Sequence, residues 1–123
     1  MTQENARPER RREPRIEADL PLKIGSEDAA VITQTRNIST LGMYCQVETE
    51  IPPMTKVSLT LYAPVPGKGK NVVTRKVNCE GVVVRSEPVT EKDGSTRYNV
   101  AIYFSDLSEA DRKAISLYVK HRL

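Results

Sequence analysis

Two stretches of this 123-residue chain hold residue types suited to gripping an anion: the arginine run Arg10, Arg11, Arg12 and Arg15, and the turn with Asn37, Ser39 and Gly42. Arginine stays charged and presents a planar fork of donors that matches phosphate in a bidentate geometry, where lysine supplies only a point charge. Asn37 offers both a carbonyl acceptor and an amide donor, and Ser39 a small hydroxyl. Gly42 permits a backbone angle or a close approach that a β-carbon would block. Each group also has a plainer reading. A basic run near an N-terminus reads as a solvated tail or a nonspecific polyanion-binding arm. Asn, Ser and Gly are ordinary β-turn residues, and Asn37-Ile38-Ser39 is also a glycosylation sequon.

The stretches around these residues set the elements that must position them. Val57, Leu59 and Leu61 share one face of an alternating run, as do Tyr98, Val100, Ile102 and Phe104, and as do Met43, Cys45 and Val47. A side-chain period of two with one apolar face predicts antiparallel strands, here near 20–25, 29–38, 42–48, 55–62, 70–86 and 96–104. Residues 64–69 (Pro-Val-Pro-Gly-Lys-Gly) read as a loop, and Asp93-Gly94 as a tight hairpin turn. Ser108 then starts a C-terminal helix over 108–122, with Ala110, Ala114, Leu117, Tyr118 and His121 on its apolar face. The expected fold is mainly β: a six- to seven-stranded antiparallel barrel with a C-terminal α-helix.

Composition narrows the function classes. Hydrophobic content of 38% and charged content of 28% suit one globular domain. No stretch approaches the roughly 20 apolar residues of a membrane span, and residues 1–9 have no signal-peptide core, so a cytoplasmic protein is expected. Cys45 and Cys79 stand far apart in apolar stretches and are expected as reduced thiols. His121 is the one histidine, which leaves no zinc-ligand set and no activated nucleophile, so neither a metal nor an enzyme is expected. A second basic stretch, Lys68, Lys70, Arg75 and Lys76, and the net charge of +3 suit an anionic ligand or solvated surface equally. A small RNA- or DNA-binding barrel would want exposed aromatics for stacking, and aromatics are 5% of the chain.

In order, the pair Arg11-x-x-x-Arg15 and Asn37-x-Ser39-x-x-Gly42 resembles the paired signature of the PilZ domain, RxxxR followed by [D/N]xSxxG. The later segments Gly81 to Arg85 and Tyr98 to Phe104 resemble its core strands, and the terminal helix its closing helix. The resemblance spans nearly the whole chain and implies a receptor for the bacterial second messenger cyclic di-GMP, with no other cofactor. It divides the chain into an arm over 1–9 and a domain over 10–123, with a clamping arginine segment at 10–18. Ligand contacts carried over fall on Arg10, Arg11, Arg15, Asn37, Ser39 and Gly42. Guanine O6 and N7 accept from an arginine fork, and the phosphates accept charge-assisted bonds. Arg10 favours an intercalated ligand pair over a single molecule. Arg85, at a strand end, is either a further base contact or a solvated side chain. The family serves motility, exopolysaccharide synthesis, pili and virulence through protein partners. The alternative is a degenerate PilZ interaction module that ignores the nucleotide. Asn37 stands where the family often has Asp.

Overall fold

The computed structural model describes residues 14–25 and 30–123; Arg10 and Arg11 lie outside them. Seven strands follow in order: β1 (Ile16–Glu17), β2 (Pro21–Gly25), β3 (Ala30–Ile38), β4 (Gly42–Val47), β5 (Lys56–Pro66), β6 (Val72–Thr90) and β7 (Thr96–Asp106). One helix, α1 (Glu109–Arg122), ends the chain. All pairings are antiparallel, in the order β1-β3-β2-β5-β6-β7-β4, and an additional β3–β4 pairing closes the ring into a barrel.

The period-two faces become the barrel interior. Met43, Cys45 and Val47, then Val57, Leu59 and Leu61, then Val100, Ile102 and Phe104 are all buried. Burying side chains of this size contributes about 1.5–3 kcal/mol each relative to exposure, which is why alternation governs register here. Both cysteines are buried free thiols. Burial pushes the Cys45 and Cys79 thiols up to about 12, helped at Cys79 by the charges of Asp111, Asp106 and Glu80. Among the described residues no helix is long and apolar enough to cross a membrane.

Two expectations differ. Residues 64–66 are strand rather than loop: β5 runs to Pro66 and pairs with Val72. Pro64 and Pro66 fit because each lies where a strand neighbour is missing, so a lost N–H breaks no ladder. The buried face of the helix is shifted: Ala114 and Tyr118 are buried as expected, joined by Ile115 and Val119, while Ala110 and His121 are exposed and Leu117 is 41% exposed. Ile115 and Val119 join Ala114 and Tyr118 in the core cluster, where the helix packs on β5 and β6. Ser108 caps the helix as expected, its hydroxyl accepting from the Asp111 N–H at 3.1 Å.

Candidate ligand-binding site

The barrel wall holds one outer row across four adjacent strands: Asn37 on β3, Tyr44 on β4, Ala101 on β7 and Arg85 on β6. Two β-bulges aim its polar ends. On β3, Thr35 opposes Cys45 and points inward, and strict alternation would send Asn37 inward as well. The register slips between Thr35 and Asn37, so Asn37 opposes Tyr44 and turns outward. On β6, Gly81 and Val83 point inward, and the next slip places Arg85 opposite Ala101 on the outside. Bulges of this kind commonly re-aim a side chain beside a functional site. Arg85 thus lies on the outer row, where alternation alone would assign it to the core.

Arg15 reaches the same row from the other side. β1 pairs with the end of β3, Ile16 with Ile38 and Glu17 with Asn37. The Arg15 guanidinium donates through Nη1 to the Asn37 side-chain oxygen Oδ1 at 2.5 Å. Partial burial there draws the Arg15 pKa below its ordinary value. Arg15, Asn37, Tyr44, Ala101 and Arg85 line a cavity of about 360 Å³. A second cavity of about 610 Å³ adjoins it through Asn37 and Tyr44 and carries Arg36, Gln46 and Asn99. There Arg36 donates to the Gln46 side-chain oxygen at 3.1 Å and Gln46 donates to that of Asn99 at 3.0 Å. The two hollows share Asn37 and Tyr44 as walls of a surface trough, and each falls in the size range of small-molecule sites, roughly 300–1,000 Å³.

Thr35 anchors the arginine segment, and nothing in the sequence marked it. It is buried, and its hydroxyl donates to the Ala18 carbonyl at 2.5 Å and accepts the Leu20 N–H at 2.9 Å. Backbone bonds from Ala18 N–H to the Arg36 carbonyl and from Thr35 N–H to the Leu20 carbonyl complete the join. Residues 18–20 would otherwise leave unpaired polar groups between β1 and β2, at about 1–3 kcal/mol for each buried one. The latch fixes β1, and β1 delivers Arg15.

The remaining turn residues look inward. Ser39 is 1% exposed, its hydroxyl accepting the Leu41 N–H at 3.1 Å and its own N–H donating to the Gly42 carbonyl at 2.9 Å. A β-carbon on Gly42 would lie 2.2 Å from the Ile102 carbonyl oxygen, so the close approach that needs glycine is to β7. Arg112 of α1 donates to the Thr40 carbonyl at 3.2 Å, tying the helix to the same turn.

The chain matches the PilZ domain family model over residues 9–121 and belongs to that family. Its fold is that of several solved structures. It superposes on the Bacillus subtilis inhibitor of motility (MotI/DgrA) with a TM-score of 0.71 and 21% identity, over 91% of this chain and 50% of that one. The K. pneumonia MrkH–c-di-GMP complex gives 0.67 and 14% identity, over 91% and 51%. The PilZ domain of Escherichia coli YcgR with c-di-GMP gives 0.55 and 16% identity, over 92% and 95%. The chain thus spans about half the length of the first two proteins. No curated protein matches it in sequence.

Proposed function

We propose that the chain is a cyclic di-GMP receptor that binds the nucleotide in the trough between Arg15 and Arg85 and so alters a surface read by a protein partner. The observation that carries this reading is the convergence of Arg15, Asn37, Tyr44 and Arg85 on one cavity, through β1 and two bulges. Two relatives of the same fold have c-di-GMP in their structures, which supports the choice of ligand.

Arg15 and Asn37 are bonded to each other. The nucleotide takes the place of that bond. Arg15 turns its fork to guanine O6 and N7 or to a phosphate, and the freed Asn37 side-chain oxygen accepts a guanine N–H. Arg85 closes the far side with a second cation, and Tyr44 gives the base an aromatic floor. Arg10 and Arg11 supply the remaining phosphate contacts from the clamping segment. Charge-assisted bonds of this kind contribute about 1.5–3 kcal/mol each. Ser39 and Gly42 act through the turn that aims Asn37.

A second reading, an interaction module that ignores the nucleotide, is favoured by one observation. Ser39 and Gly42 are both used by the barrel itself, so their presence does not by itself require a ligand. A thermal melt separates the readings. Cyclic di-GMP at 100 times its dissociation constant stabilises a receptor by about 2.7 kcal/mol, with no response to GTP. No shift with cyclic di-GMP leaves the interaction module, and a salt-sensitive shift with short RNA alone points to nucleic-acid binding.

A further inference from the structure

The β5–β6 hairpin extends past its neighbours. β2 covers β5 only from Ser58 to Leu61, and β7 covers β6 only from Glu80 onward. Residues 62–66 and 72–79 therefore form a two-stranded ribbon whose outer edges pair with no strand among the described residues. The register shows which residues aim their backbone at those edges. The Gly67 N–H donates to the Asn71 carbonyl at 2.8 Å. Bonded pairs then alternate along the ribbon, so Val65↔Val73 and Ala63↔Arg75 bond to each other. The intervening pairs, Pro66↔Val72, Pro64↔Thr74 and Tyr62↔Lys76, turn their backbone groups outward.

The two edges are treated differently. On β5 two outward positions are prolines, with no N–H to offer a new strand. On β6 the outward positions are Val72, Thr74 and Lys76, with donors and acceptors intact. Val72 is 69% exposed and Val73 49%. The hairpin itself is cationic: Lys68, Lys70, Arg75 and Lys76 lie on or beside this ribbon, no Asp or Glu occurs from Ile51 to Cys79, and the nearby acids Glu80, Asp106 and Asp111 sit at its barrel end, around Cys79 and Arg75. Arg75 is held by Asp111 at 3.0 Å, which leaves the lysines for a partner.

We propose that the open β6 edge over residues 72–76 docks an extended acidic segment of a partner protein, which adds to the ribbon as a third strand. Such a segment answers both features at once, with main-chain bonds to the edge and carboxylates beside Lys76 and the loop lysines. A second copy of this chain would set lysines against lysines. A nucleic acid would meet the lysines and leave the edge groups without a ladder. The proposal rests on the foregoing reading only in giving the chain a protein partner.

Hydrogen exchange by NMR on the full chain without nucleotide tests it, the probe being a blocked heptapeptide of alternating glutamate and valine. The amides of Val72, Thr74 and Lys76 should slow by at least about tenfold at saturation. The same peptide with lysine in place of glutamate should leave them unchanged. Thr74→Pro removes an outward donor and should abolish the protection. Lys76→Glu, an exposed change that leaves the ladder whole, should do so even if Thr74→Pro fails to fold. Unchanged exchange with the acidic peptide, equal protection by the lysine peptide, or a response to a DNA oligonucleotide alone would each overturn the proposal. Because nucleotide is omitted, these results are independent of the cyclic di-GMP melt.

Discussion

The turn between β3 and β4 and the outer row beside it carry one sequence motif but serve two ends. Ser39 and Gly42 face the barrel, the first buried and bonded to its own turn, the second pressed against the β7 backbone. Asn37 faces out, bonded to Arg15 across the β1–β3 join and lining one cavity with Arg85. On the proposed reading, Ser39 and Gly42 hold the backbone shape from which Asn37 reaches the nucleotide. A substitution in the first group should therefore appear in stability, and one in the second in affinity.

The largest effect on that division should come from Gly42→Ala. Its β-carbon would press on the Ile102 carbonyl and the Tyr103 Cα, backbone that cannot turn aside. The expected loss is about 3 kcal/mol or more, read as a lower melting temperature before any ligand is added. Thr35→Val comes next and crosses the division. It keeps the shape but leaves the Ala18 carbonyl and Leu20 N–H without their hydroxyl partner, at about 1–3 kcal/mol. Because the latch holds β1, cyclic di-GMP affinity should fall as well, and Thr35→Ser should restore both. Ser39→Ala should cost only about 1 kcal/mol and leave affinity within a few-fold of the parent.

An effect seen only at alkaline pH concerns the two buried thiols. In the folded chain both are raised to about 12. As pH climbs past the ordinary thiol value, the unfolded chain loses protons that the folded chain retains, so stability falls across that window up to about pH 12. A series of melts should show this slope, and Cys45→Ala should flatten part of it. At pH 8 neither thiol should react with a disulfide reagent until the chain is unfolded.

The barrel was legible because burial imposes a period of two on strands such as 43–47, 57–61 and 100–104. Proline was the misleading signal in residues 64–66, since a free edge tolerates what a central strand excludes. The helix was legible, but its buried face only in part. Spacing allowed several stripes, and packing selected the one with Ile115 and Val119. In the site, the arginine and turn motifs drew attention to Arg15 and Asn37. Arg85 stayed undecided because its outward aim depends on a bulge, and a bulge shifts alternation without any distinctive residue. Thr35 left no mark at all, as threonine is common in strands and its role arises only when residues 18–20 cross over it.

The most direct test is calorimetric titration of cyclic di-GMP into the parent chain, Arg15→Ala and Arg85→Ala. The outer row predicts binding by the parent and a loss of roughly 10- to 100-fold in each variant, from the charge-assisted bonds removed, with melting temperatures little changed. Equal affinity in all three, or no binding by the parent, would contradict the assignment of this row as the nucleotide site.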